Sequence, residues 1–180
     1  NDTQYVRSFE LEPREPWKLT ISGKSIDRFR ILERNLCLKY GDWLARNWKN
    51  RTFYETPKIA VRETGSRIIA TLDLESRYFL SSLYAVYFKT ANSEDHLLFL
   101  LGILNSKLAT FVIRKIAYEL TKGAFTKVRT NQLARLPIPA DFARRPQFPR
   151  IRAAVREVLQ LAEQEIAATL NTEKTALQRR

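Results

Sequence analysis

The residues able to do chemistry in this 180-residue chain are few, and their scarcity excludes most of it. His96 is the single histidine and Cys37 the single cysteine. That is too few ligands for a zinc site of common type, for a His-containing catalytic triad or for a zinc deaminase centre. One thiol also leaves no disulfide within the chain, as expected in a reducing compartment. Positive charge, by contrast, is abundant: 31 Lys and Arg stand against 19 Asp and Glu, a net charge of +12. Residues 96 to 150 carry 10 basic and 2 acidic side chains, so +8 of that +12 falls in the central segment. A surplus concentrated in this way suits a polyanion, nucleic acid ahead of a membrane surface.

Three stretches collect the basic side chains with small polar ones. ISGKSIDRF, residues 21–29, turns at Gly23 and exposes Lys24, Arg28 and Arg30 around buried Ile26 and Phe29, which reads either as a phosphate contact or as a solvated helix start. KIAVRETGSRIIAT, residues 58–71, sets Arg62, Thr64, Ser66 and Arg67 around Gly65. TKGAFTKVRTNQL, residues 121–133, sets Lys122, Lys127 and Arg129 around one glycine and Phe125, an exposed basic loop leading into a short strand. Arginine suits bidentate contact with guanine, and Thr64, Ser66, Asn131 and Gln132 suit other base edges. Residues 36–54 mix Trp43, Trp48, Phe53 and Tyr54 with Lys39, Arg46, Lys49 and Arg51; aromatics in such a mixture read as packing anchors rather than base-stacking platforms, with NWKNR, residues 47–51, as an exposed loop.

These side chains need a scaffold. Leu97, Leu98, Leu101, Leu104, Leu108, Phe111, Val112 and Ile116 recur at steps of mostly three and four, a broad stripe along one side of a helix. Ser93 is the expected N-cap, and Asn105-Ser106 predicts two short helices or one with a break. The continuous apolar run there is well short of the roughly 20 residues a bilayer span needs, so a core and not a membrane anchor is expected. Residues 58–71 read as a hairpin with its tip at 64–67, residues 78–88 as one aromatic and β-branched strand, and residues 5–9 and 17–21 as short strands. The expected fold class is α+β: an antiparallel or mixed β-sheet covered by a helical pair, with a long C-terminal spacer helix.

LPIP, residues 136–139, fixes an extended backbone and closes a domain over 1–140; residues 141–149 are expected as a Pro- and Arg-rich linker and 150–180 as the spacer helix. Ile151, Val155, Val158, Ala162, Ile166, Leu170 and Leu177 form a stripe near heptad spacing. A helix of this length spans about 45 Å, which predicts docking on something other than a small domain. The absence of methionine and the C-terminal Gln-Arg-Arg lead to the expectation of a piece of a longer polypeptide.

The order of the pieces GKSIDRF, YGDWLA, PKIAVRETG, LLGILNSKLATFVIRKI and LARLPIP, over roughly residues 19 to 139, resembles the target-recognition domain of type IIG restriction-modification enzymes and of Taq-like adenine-specific DNA methyltransferases. The resemblance implies a non-catalytic recognition fragment for double-stranded DNA, joined in one polypeptide to a methyltransferase domain that flips adenine from the stack. It implies that the hairpin and the loop after the helices face DNA, with Arg62, Thr64 and Arg67 in one contact region and Lys122, Lys127 and Arg129 in the other. S-adenosylmethionine is then expected in the parent's catalytic domain and no cofactor in this chain, in the cytoplasm of a bacterium or archaeon. The catalytic half is missing from the sequence: there is no Asn/Asp-Pro-Pro-Tyr/Phe motif, no Gly-rich cofactor loop and no Asp followed by Glu-x-Lys. Three other readings stay open: a recognition domain of a type I specificity subunit, a basic RNA-binding module, and a helical protein-interaction domain whose charge is incidental.

Overall fold

The computed structural model describes residues 4–8, 14–33, 35–44, 51–88, 93–121 and 127–178, with the side chains of 117–121 and 170–178 left aside. In chain order the elements are β1 (Val6–Ser8), β2 (Trp17–Ile21), a 3-10 turn (Gly23–Ser25), β3 (Ile26–Asp27), β4 (Arg30–Ile31), β5 (Leu36–Lys39), α1 (Thr52–Glu55), β6 (Lys58–Arg62), β7 (Ala70–Asp73), β8 (Tyr78–Phe79) and β9 (Leu83–Val86). Then follow α2 (Glu94–Leu104), α3 (Lys107–Thr121), α4 (Thr130–Leu133), a second 3-10 turn (Phe142–Arg144) and α5 (Gln147–Gln178). This is the expected α+β class.

Two sheets and a ribbon share the strands. The central sheet runs β7-β6-β9 and is antiparallel throughout, with Lys58 opposite Asp73 and Val61 opposite Ala70. The second, ordered β1-β5-β2-β8, is mixed because β8 lies parallel to β2. β3 and β4 pair as a short ribbon. One strand expectation changes. The stretch 78–88 is two strands belonging to different sheets, divided by a turn in which the Leu83 N–H donates to the Leu80 carbonyl at 3.0 Å. Its aromatic and β-branched content signals extended backbone, while Ser81-Ser82 supplies the small polar residues a turn needs. The expected early strands are present as β1 and β2 but are not neighbours. β5 lies between them, and its LCLK sequence is too short for a clear alternation, although Cys37 within it is wholly buried.

α2 and α3 are two helices bent by 64° at the predicted break. The bend redistributes the apolar stripe. Before it Leu97, Leu98, Leu101 and Leu104 are buried; after it Ala109, Ile113 and Ile116 are buried, while Leu108 is 71% and Phe111 57% exposed. A helical period read straight through residues 105–106 therefore assigns the wrong face to α3. Ser93 occupies the N-cap of α2, but its side chain makes no capping bond. Asn105 gives the break its purpose. Its side chain is buried, with Oδ1 accepting from the Ala70 N–H at 3.1 Å and Nδ2 donating to the Ala70 carbonyl at 2.9 Å, so the kink is fastened to the start of β7. The main core unites Ile59, Val61 and Ile68 of the hairpin with Leu97, Leu101 and Ile113 of the helices and Val155 of α5.

α5 begins by lying on the domain. Gly102 of α2 admits it closely: a Cβ at that position would stand 2.8 Å from Cγ2 of both Ile151 and Val155. Asp95 pairs with Arg152 and, at 3.0 Å, with Arg156, and Arg30 of β4 reaches Glu165 at 2.9 Å. The segment 141–149, expected as a linker, packs as well. Phe142 stacks on Phe99 with centroids 4.9 Å apart, and Phe148 and His96 complete the cluster. The first half of α5 thus docks on α2, where the length of the helix alone predicted a separate partner. Among the described residues no single helix is long and apolar enough to cross a membrane; α2 and α3 meet that test only as a bent pair.

Candidate nucleic-acid interface

The hairpin β6–β7 has a sealed base and an open tip. At the base Lys58 and Asp73 face each other across the register, both wholly buried, with Nζ 2.6 Å from Oδ2. Arg77 joins Asp73 at 3.3 Å, and the Lys58 ammonium also donates to the Tyr54 carbonyl. Burial holds the Lys58 pKa below the usual lysine range, against the opposing pull of the Asp73 carboxylate.

The tip is fixed through its backbone. The Arg62 N–H donates to the Ile69 carbonyl at 2.9 Å, and the Glu63 N–H to the Ser82 carbonyl at 3.0 Å. Gly65 takes φ +154°, where a Cβ would meet the Arg67 carbonyl oxygen at 3.2 Å, so glycine is what the turn accepts. α3 runs beside the loop: Arg114 Nε donates to the Ser66 carbonyl at 3.0 Å, and the Ile68 N–H donates to Thr110 Oγ1 at 3.4 Å. From the other side the Val128 N–H donates to the Glu63 carbonyl at 2.7 Å, and Thr64 and Lys127 form an antiparallel bridge. With the main chain occupied in this way, the side chains of Thr64, Ser66 and Arg67 are exposed.

The same bridge brings the two expected contact regions together. Lys127 and Arg129 are exposed beside the tip, and the Arg129 N–H donates to Gln132 Oε1 at 2.9 Å as α4 begins. That one-turn helix replaces the short strand expected here. Gln132 is buried by its capping task and so is not offered to a base edge, whereas Asn131 is exposed. Lys24 is exposed on the first 3-10 turn, and this turn adjoins the tip through one serine: Ser82 Oγ accepts from the Gly23 N–H at 2.8 Å while its carbonyl holds Glu63.

Arg28 and Arg62 are placed differently. Both are half-buried; Arg28 donates to the Asn105 carbonyl at 2.6 Å, and Arg62 donates to the Ile26 carbonyl, so their guanidinium groups fasten the ribbon β3–β4 to the helix break and the hairpin. Lys122, the rest of 122–126 and the expected exposed loop over 47–50 lie outside the described residues.

Two residues absent from the sequence-based set belong to this edge. Arg114 sits off the apolar stripe, which marks it as a surface residue without revealing that it braces the tip. Glu63 is an acid inside an otherwise basic stretch; its Oε1 accepts from Tyr84 Oη at 3.3 Å and lies 3.4 Å from Lys127 Nζ. Burial raises the Tyr84 pKa and the Glu63 carboxylate raises it further, with Arg129 acting in the opposite sense. Among the described residues no group of His, Cys, Asp and Glu is arranged to hold a metal ion.

The profile of the TaqI-like C-terminal specificity domain matches residues 18–138, from β2 through the hairpin, the two helices, the bridge and α4. The chain belongs to this family. A TaqI-like specificity domain points to DNA-sequence recognition in a restriction-modification enzyme, and such domains are typically non-catalytic. The match takes in every exposed residue of the edge built above and stops short of α5. A search of curated proteins returns no match to the chain.

Proposed function

We propose that this TaqI-like specificity domain reads the target site of double-stranded DNA for an adenine-specific methyltransferase, with or without endonuclease activity as in the type IIG enzymes. In this reading the catalytic domain and its S-adenosylmethionine belong to another part of the same polypeptide. The observation that carries the proposal is the Thr64–Lys127 bridge, which joins two basic segments far apart in sequence into one edge with a locked backbone and exposed Thr64, Ser66, Arg67, Lys127 and Arg129. Locked main chain with open side chains is what reading a rigid ligand requires, because little conformational entropy is lost on contact.

Lys24 and Lys127 then act as phosphate neutralisers that set register, and Arg67 and Arg129 as candidates for bidentate contact with guanine. The net charge of +12 supports a strongly salt-dependent affinity. Arg28 and Arg62, expected from sequence as contacts, support the face from behind in this reading. The test is single-molecule sequencing of genomic DNA from a host expressing the full-length gene: one methylated adenine motif is expected, and an unmethylated genome with an intact catalytic domain would sink the proposal. Preference for RNA over duplex DNA at matched salt would sink it as well.

A further inference from the structure

We propose that Glu63 is a specificity-determining residue that accepts the exocyclic amino group of a cytosine in the major groove. The inference deepens the recognition reading and rests on it. Glu63 directly follows β6, and its main chain is fixed on both sides, by Ser82 through its N–H and by Val128 through its carbonyl. Its carboxylate is divided in use. Oε1 takes both side-chain contacts, from Tyr84 Oη at 3.3 Å and from Lys127 Nζ at 3.4 Å. Oε2 has no hydrogen-bond partner among the described residues and is open to solvent, on a side chain 26% exposed. One oxygen is taken up by Tyr84 and Lys127, and the other is left without a partner among the described residues.

A carboxylate at this place repels phosphate, so it adds nothing to backbone binding on an edge otherwise made of Lys24, Arg67, Lys127 and Arg129. What it suits is a donor on a base edge. Cytosine offers its N4 amino group to the major groove with a C5–H and not an acceptor on its own side, the paired guanine O6 lying on the other. Adenine places N7 beside its amino group, which repels a second carboxylate oxygen and fits an amide instead. The competing role is a purely structural one, in which Glu63 only steadies Lys127.

The experiment uses the full-length protein and a pool of DNA duplexes with a randomised central segment, sequenced before and after binding. Wild type is expected to enrich a motif containing cytosine at the position Glu63 reads. Glu63→Gln keeps an oxygen for Tyr84 and presents an NH2 donor in place of the other oxygen. It should lower the preference for cytosine at that one pair on the order of tenfold and favour a base that offers an acceptor there, adenine, guanine or thymine, leaving the rest of the motif intact. Tyr84→Phe, which frees the carboxylate to turn, should weaken the preference at the same pair. An unchanged motif in Glu63→Gln, a uniform change of affinity across the pool, or an altered position that is not cytosine in the wild-type motif would each overturn the assignment. Wild type enriching no motif at all would bring down the recognition reading and this inference with it.

Discussion

The two ends of one hairpin use charge in opposite ways. At the base, Lys58, Asp73 and Arg77 are buried and answer one another, and their side chains are unavailable to any ligand. At the tip, Ser66 and Glu63 are held by backbone groups that Arg114, Ser82 and Val128 engage, and the neighbouring side chains are left exposed. A buried ion pair contributes little net stability because desolvation offsets attraction, but it tolerates no missing partner. The base is therefore where the fold is vulnerable and the tip is where the proposed contact with DNA lies.

Substitutions can test that division, and the largest effect belongs to the base. Asp73→Ala leaves buried Lys58 without a counter-charge and Arg77 with Glu75 alone, and should destabilise the domain by about 3–5 kcal/mol in urea unfolding. The double change Lys58→Met with Asp73→Leu should cost far less, and equal losses in the two variants would contradict the ion-pair account. Between base and tip, Asn105→Ala strands the Ala70 N–H in the core, leaving its carbonyl to the Phe29 N–H alone, and should cost about 1–3 kcal/mol by the same measurement. At the tip, Gly65→Ala should cost only about 1 kcal/mol of stability, since the strain is local, while site-specific DNA affinity falls much more than the melting point suggests. Arg129→Ala should leave stability within about 0.5 kcal/mol, and either relax preference at one base pair by about 1–3 kcal/mol or weaken all sequences alike if it holds phosphate. Unaltered DNA binding would remove this segment from the interface.

The smallest effect at neutral pH is also an alkaline one. Tyr78 lies in the aromatic cluster beside the base, stacked on Tyr54 at 4.2 Å, with a buried hydroxyl that has no hydrogen-bond partner among the described residues. Burial, reinforced by Glu55, pushes its pKa up to about 12. The folded state thus keeps a proton that the unfolded chain releases near pH 10, so this contribution is fully present below pH ~10 and is lost as the pH rises towards 12. Tyr78→Phe should be neutral or slightly stabilising at pH 7, and should flatten the fall in stability above pH ~10 seen by urea unfolding.

How much of this was legible in the sequence follows the same division. The hairpin, its tip and the helix break were readable because Gly65, Asn105 and the alternation in 58–71 act locally, within a few residues of their consequence. The match over residues 18–138 bears out the family resemblance drawn from five motifs in order. What was hidden depends on contacts at long range. Nothing near Arg28 or Arg62 in the chain says that Asn105 and Ile26 will take up their guanidinium groups. The exposure of Leu108 and Phe111 follows from a 64° bend that no fixed period can express. Gln132 looked like a base-reading amide because its local surroundings are polar, and it became a buried cap once Arg129 turned into α4.

The bridge between Thr64 and Lys127 also bears on the order in which the molecule comes together. Lys127 and Glu63 are 64 positions apart, and the chain between them includes β7, β8, β9 and both central helices. Closing so long a loop has an entropic cost that is met by contacts formed inside it, so the edge follows the elements between its two halves. A nascent or damaged chain lacking any of those elements would then have no assembled face to show. Incomplete folding and loss of selectivity are thereby coupled, and a half-made copy stays silent instead of misdirecting whatever it serves.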